Sequence, residues 1–238
     1  NIGGSRTIPL PGTWSAERKQ RIKESRRWAG EAIVDAVSTV ANPPQVVFQM
    51  SGIDYYPATD KVMNEESGRG GQFRAAVMAD FWGPAAEPVG QMGVRRVIGR
   101  TAALLNKETG PLPASLLQFK LFAGGRLGSG KQWLSWIHTL DAIRAIRFLT
   151  GTDAAAGVYN IASPDPVTNA EFTRVLGQVM GRPSILPVPE FALKLMLGEV
   201  SALVLEGRPV SIKKLQELGF TFRFPTLVAA LRDLLGKS

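Results

Sequence analysis

The sequence predicts an α/β core followed by a small helical subdomain. Short runs of β-branched and aromatic residues alternate with helical patterns up to Gly181, at the spacing of α/β layering. After Pro187-Val188-Pro189 only helical patterns remain. The 238 residues are 45% hydrophobic and 20% charged, the balance of a chain able to bury its own core.

Residues 13–41 carry Ile22, Ala29, Ile33 and Val37 at helical spacing, with Thr13 or Ser15 as the cap and Asn42-Pro43-Pro44 as the stop. Val46-Val47-Phe48-Gln49-Met50 then reads as a buried strand. The stretch 51–71, rich in Gly, Pro, Asp and Ser, reads as a loop over the sheet edge. Residues 73–91 form an alanine-rich helical pattern disturbed at Gly83-Pro84. Proline removes a helix hydrogen bond and clashes with the preceding turn, so a kink or break is expected there. A strand at 94–102, a short helix at 113–121, a glycine-rich loop at 124–130 and a strand at 133–138 follow. A helix at 140–150 and a strand at 158–161 come next. Thr168-Asn169-Ala170-Glu171 is a capping box opening a helix that ends before Gly181-Arg182-Pro183. The remaining helices fall at 191–206, 211–218 and 226–235, and the chain divides into expected domains 1–165 and 166–238.

Composition excludes several chemistries. The absence of cysteine removes disulfides, thiolate nucleophiles and thiolate metal sites, and fits a reducing compartment, the cytoplasm or an organelle interior. A single histidine, His138, excludes a multi-histidine centre, and no metal site is expected. The richest apolar stretch, 191–205, is broken by Lys194, Gly198 and Glu199, so no membrane span is expected. A formal charge of +8 raises an anionic partner. Its densest source, Arg18, Lys19, Arg21, Lys23, Arg26 and Arg27, is spread around most of the first helix with Glu17 and Glu24 among them, as on a solvated face. A nucleic-acid groove would align its cations and intersperse aromatics for stacking, and only Trp14 and Trp28 lie nearby.

Several motifs then carry a resemblance. They are Asn1-Ile2-Gly3-Gly4, Trp14-Ser15-Ala16-Glu17-Arg18-Lys19, Ser51 with Tyr55-Tyr56, Arg100-Thr101, the run 128–138, Asn160-Ile161-Ala162-Ser163-Pro164, Leu186-Pro187-Val188-Pro189 and the run 218–225. Together they resemble the predicted nucleoside-diphosphate-sugar epimerase branch of the extended short-chain dehydrogenases/reductases, along the whole chain, with 128–133 the most specific part. The resemblance implies a Rossmann-like parallel sheet, NADP or NAD as cofactor, a nucleotide-sugar-like substrate and a carboxy-terminal subdomain that closes the cleft. In such folds the pyrophosphate sits on a Gly-rich turn opening the first helix. Neither Gly68-Arg69-Gly70-Gly71 nor the glycines at 124–128 have that strand-turn-helix context. The resemblance places Asn1 to Gly4 at the end of a fourth strand, and the first residue is not Met. Two strand-helix units are therefore expected before Asn1. A chain beginning here would need its bared strand edge covered by them or by a protein partner.

The family moves a hydride with a Tyr acid/base, a Lys four residues later that tunes it, and a Ser that holds the substrate oxygen. Ser51, at a strand end and four residues before Tyr55, takes the place of that serine; read alone, it serves equally as a turn-capping hydroxyl. Where the Tyr-x-x-x-Lys pair is due, the chain has Val77-Met78-Ala79-Asp80-Phe81. Tyr56 and Lys61 are five apart in a loop with Pro57, which does not stack them as one helical turn would. Tyr55 remains, as a proton donor near the nicotinamide or as an aromatic wall of the cleft. The resemblance assigns cofactor contacts to Gly3, Gly4, Ser51, Arg100 and Thr101. Arg126 and Lys131 sit in a glycine-rich segment that either meets ligand phosphates or merely connects. Asp80 reads as a surface charge, and His138, with Asp141 three residues on, as a hydrogen-bonded structural histidine. Two functions stand: an NAD(P)-dependent epimerase or reductase, and a non-catalytic relative serving as a structural or accessory subunit. Nucleic-acid binding rests on charge alone.

Overall fold

The structure, a computed structural model, describes residues 15–237. Its strands are β1 (Val46–Gly52), β2 (Arg95–Thr101), β3 (Ala103–Leu105), β4 (Trp133–Leu134), β5 (Trp136–His138), β6 (Gly157–Ile161) and β7 (Val167–Thr168). The central sheet is parallel, in the order β1-β2-β6. β3 resumes after Ala102 and pairs in parallel with β5, while β4 and β7 form an antiparallel pair. The Rossmann-like parallel sheet is thus present. The strand expected at 133–138 is divided at Ser135, whose Oγ donates to the Arg208 carbonyl at 2.8 Å and accepts from the Val210 amide at 3.2 Å.

Both faces of β1 are covered, which is why it reads as a near-continuous apolar run. Val46, Phe48 and Met50 pack with Val97, Tyr159 and Ile161 against Ala142, Ala145 and Leu149 of the helix Thr139–Gly151. Val47, on the opposite face, packs with Val37, Val89 and Val94. Each large side chain so buried contributes about 1.5–3 kcal/mol.

The helix Ala16–Thr39 starts where Ser15 Oγ accepts from the Arg18 amide at 3.2 Å. It buries Ile22, Arg26, Gly30 and Val37, and a Cβ on Gly30 would lie 2.3 Å from that of Ala85. The basic face is largely occupied by the protein itself. Arg21 pairs with Glu17, Arg27 with Glu31 and Lys19 with Glu199, while Lys23 lies over the rings of Phe73 and Phe81. Arg26 corrects the solvated-face reading: it is buried, its guanidinium 4.8 Å over the Trp82 ring, and desolvation lowers its pKa.

The kink expected at Gly83-Pro84 takes a different form. Phe73–Ala76 is α-helical, Val77–Trp82 widens into a π-helix in which the Gly83 amide reaches back to the Met78 carbonyl, and Gly83–Ala85 continues the path. The widening accommodates a ring that has no N–H to give. The helix breaks only at Ala86, before Pro88–Gln91.

The carboxy-terminal segments share the sheet's cores. Leu215 and Phe220 belong to the cluster around Phe48 and Tyr159, and Phe224, Leu227, Ala230 and Leu231 pack with Trp136, Val175 and Leu176. Asp141, fully buried, accepts from the amides of Arg223 (2.9 Å) and Phe224 (2.8 Å) and from Arg144 (2.7 Å). The helix Asn169–Met180 is capped by Thr168 Oγ1 on the Glu171 amide at 3.2 Å and ends at Gly181 with φ of 64°. The helix expected over 191–206 is three pieces: Glu190–Leu197, a 3₁₀ turn Gly198–Ser201, and Ala202–Leu205. Among the described residues, no helix is long and apolar enough to cross a membrane, and no group of acidic or histidine side chains has the makings of a metal site.

Candidate functional site

Parallel β1 and β2 end together, with Ser51 opposite Arg100 in register, and the side chains of Ser51, Arg96, Ile98 and Arg100 face the helix that follows β1. Between sheet and helix lies a cleft of about 230 Å³, lined by Ser51, Tyr55, Met78, Ala79, Gly83, Pro84, Glu87, Arg96, Ile98 and Arg100. The carboxyl ends of parallel strands are where open α/β sheets take ligands.

The π-helix shapes this cleft. Side chains of the sheet meet the carbonyls of Trp82 and Gly83 along it. Buried Gln49 donates to the Trp82 carbonyl, and Arg96 donates to the Gly83 carbonyl and, at 3.0 Å, to Gln49 Oε1. Burial lowers the Arg96 pKa, with Glu87 opposing that shift.

The loop after β1 is rigid by construction. Asp54 accepts from Arg74 at 2.5 Å and Arg208 at 2.6 Å, both arginines buried. Burial lowers the Arg74 pKa. Tyr55, in the short turn Ile53–Tyr55, lies face-on over Arg100, whose guanidinium carbon is 3.5 Å from the ring centroid. Beneath it, fully buried Tyr56 accepts from Arg100 Nη1 (2.9 Å) and donates to Asn160 Oδ1 (2.8 Å). Asn160 Nδ2 then donates to the Ser211 carbonyl at 3.0 Å. Desolvation pushes the Tyr56 pKa up.

Of the residues singled out in the sequence, Ser51, Tyr55 and Arg100 come together in the cleft. Thr101 turns to the other face of the sheet, its hydroxyl toward Met50 Sδ at 3.7 Å. Arg126 and Lys131 are exposed and do not line the cleft. Gly3 and Gly4 lie outside the described residues. Met78, in the stretch 77–81, faces the end of β1, and Ser51 Oγ donates to its sulfur at 3.6 Å. Asp80 forms a surface pair with Arg69 at 2.6 Å. His138 is buried; its Nδ1 accepts from the Leu140 amide at 3.1 Å and Nε2 lies 3.2 Å from Asp233, so it is built into the scaffold. Gln49, Arg96, Ile98 and Glu87 were not anticipated. Period-two alternation from Arg100 places Ile98 and Arg96 on the same face, the signal that finds them.

Comparison with known proteins follows this geometry. The chloroplastic epimerase family protein SDR39U1 homolog of Arabidopsis thaliana is 37% identical over 238 residues, covering 99% of this chain and 67% of the relative. An epimerase family protein of Staphylococcus aureus strain MRSA252 is 35% identical over 231 residues, covering 94% of this chain and 75% of the relative. The chain belongs to this epimerase family. Among solved structures, human epimerase family protein SDR39U1 (isoform 2) with NADPH superposes with a TM-score of 0.92 at 26% identity, covering 99% of this chain and 81% of that one. A UDP-N-acetylglucosamine 4-epimerase from Bacillus cereus, 14% identical with a TM-score of 0.75 over 98% of this chain and 75% of that one, shares the fold. Residues 188–234 match the family described as Domain of unknown function (DUF1731). In this epimerase-family chain that segment includes Arg208, Phe220 and Phe224, which fasten to the loop after β1 and to the sheet's cores.

Proposed function

We propose that this epimerase-family chain binds NADP or NAD and acts on a nucleotide-sugar-like carbonyl or alcohol, with Ser51 and Tyr55 facing the reacting group. The observation that carries the reading is the convergence of Ser51, Tyr55 and Arg100 on one cleft at the carboxyl ends of β1 and β2. NADPH in the human relative supports the cofactor. The residues fit a nicotinamide and its substrate in part: a hydroxyl, a phenol and cationic side chains surround a space too small for a whole dinucleotide. When bound, the cofactor supplies or accepts a hydride. Ser51 would hold the substrate oxygen by hydrogen bonding, and Tyr55 would hold or deliver the proton at its phenol oxygen. A nucleotide's phosphates lie outside so small a cleft, and exposed Arg126 and Lys131 are the cations of the glycine-rich loop that would meet them.

The test is NADPH titration of the full-length natural polypeptide, followed by thermal unfolding. A saturable rise in Tm is expected, and its absence would overturn the cofactor reading.

A second reading is favoured by Met78. With a thioether opposite Ser51 Oγ, the helix presents no acid/base to the hydroxyl. In that case the protein is a cofactor-binding accessory subunit, with a protein partner along the sheet. Stabilisation by NADPH without hydride transfer to any carbonyl in a nucleotide-sugar panel selects it; turnover lost in Tyr55→Phe selects the first.

A further inference from the structure

We propose that Arg100 anchors an oxyanion of the bound substrate, so that the cleft selects an acidic or phosphorylated sugar over a neutral one. The inference rests on the reading of the cleft as the substrate site.

Among the described residues, Arg74 and Arg208 share the carboxylate of Asp54, and Asp80 is taken by Arg69. Arg100 is just as buried yet makes no ion pair among the described residues. It leans on neutral groups: the Tyr56 hydroxyl at 2.9 Å, the Glu65 carbonyl at 3.2 Å and the faces of Tyr55 and Tyr56. A guanidinium taken out of water without a counter-charge is an unfavourable arrangement, and an incoming anion relieves it.

The geometry shows where that anion goes. Both of its hydrogen bonds leave from Nη1. Among the described residues, Nε and Nη2 have no acceptor, yet neither is sealed from solvent, whereas Nε of Arg96 is sealed without a partner. Tyr55 covers one face of the guanidinium, whose N–H groups lie in its plane, and both residues line the cleft. That edge suits two-point recognition of a carboxylate or phosphate. Ser51, in register with Arg100, sets a hydroxyl beside it.

The remaining charges agree. The cleft's other charged groups are Arg96, whose bonds hold the Gly83 carbonyl and Gln49, and Glu87, which is exposed. The Glu65 carboxylate accepts from the Asn160 amide at 2.8 Å through Oε1 and forms no ion pair with Arg100 among the described residues. A volume of about 230 Å³ lies below the roughly 300–1,000 Å³ of sites that bury a drug-sized ligand, so the anion is borne by a sugar-sized group.

The test adds D-glucuronate, D-glucose 1-phosphate or D-glucose to the full-length protein, with and without saturating NADPH, and reads binding by thermal shift. Either anion should bind at least about tenfold more tightly than glucose, and Arg100→Gln should remove that preference. Preference for glucuronate assigns a carboxylate, and preference for the sugar phosphate assigns a phosphate. Glucose binding as well as both anions, or Arg100→Gln keeping the preference, overturns the proposal. Anion binding without any NADPH shift removes the cofactor reading and leaves this one; an NADPH shift without anion preference does the reverse. Because Arg100→Gln also disturbs Tyr56, the wild type provides a second measurement: modification of Arg100 by phenylglyoxal, located by mass spectrometry. Protection by the preferred anion and none by glucose is expected, and equal modification in both overturns the proposal.

Discussion

Two glycine-bearing segments of this molecule look alike in sequence and do opposite things. The loop 124–131 has the glycines and cations of a ligand loop, yet its backbone is fastened to the protein at nearly every step. The Gly128 amide donates to the Val188 carbonyl and the Val188 amide to the Arg126 carbonyl, each at 2.9 Å, Asn169 Oδ1 accepts from the Leu127 amide at 2.8 Å, and Gln132 Nε2 bridges the carbonyls of Leu127 and Val204. Gly83-Pro84, which reads as a mere defect in a helix, forms the wall of the cleft, and the carbonyls of Trp82 and Gly83 are met by sheet side chains. Glycine reports that something approaches the backbone closely. At Gly125 that something is the Leu186 carbonyl, 2.0 Å from an added Cβ; at Gly83 it is the Met78 carbonyl of the widened helix, at 3.2 Å, beside the cleft.

The largest effect should come from crowding the fastened loop. A Cβ on Gly125 would lie 2.0 Å from the Leu186 carbonyl oxygen, a backbone atom that cannot move aside alone. Gly125→Ala is expected to destabilise by about 3 kcal/mol or more, measured by urea unfolding. A cost near zero would show that the loop and the 186–188 segment separate easily, and the contrast with the cleft wall would collapse.

Next comes the wall itself. Gln49→Leu keeps the volume but strands the Trp82 carbonyl and one donor of Arg96, both inside the protein. A loss of about 2 kcal/mol is expected, with weakened binding of any ligand of the cleft. Unchanged stability would mean the π-helix holds its shape without the sheet.

Much of this fold could be read from residues, and the failures have physical reasons. The central strands and the Thr168 cap follow from period, β-branching and local side-chain-to-backbone bonding, all decided within a few residues. The division at Ser135 could not be read, because it depends on Arg208 and Val210, some 75 positions away in sequence. The same holds for Arg26, which is buried because Trp82 lies over it. Of the candidate site, Ser51, Tyr55 and Arg100 were legible from a family resemblance, and their convergence is now geometric. Thr101 shares the motif with Arg100 but, being adjacent in a strand, faces the opposite side. Gln49 and Arg96 were missed because their partners are backbone carbonyls of a helix remote in sequence.

Smaller effects are expected at the loop's exposed cations. Arg126→Ala with Lys131→Ala removes side chains that line no cleft, so stability should stay within about 0.5 kcal/mol. Affinity for uridine diphosphate, measured by calorimetry, should fall several-fold if these cations meet phosphates. Unchanged affinity would reduce the loop to scaffold and leave the cleft as the ligand's sole hold.

The smallest effect concerns a residue in neither segment, which serves as a control on the scaffold that holds both. Desolvation lowers the His138 pKa from its ordinary value, with Asp233 and Asp141 opposing the shift. Below about pH 6.5 the unfolded chain therefore binds a proton that the native imidazole resists. The stability contributed by this neutral histidine is present above that pH and declines as pH falls toward the lower native value. Wild-type protein should lose slightly more stability than His138→Gln between pH 7 and about pH 5.5 in matched urea titrations. Parallel curves for the two proteins would show that Asp233 holds the imidazolium as well as water does, and that burial does not govern this site.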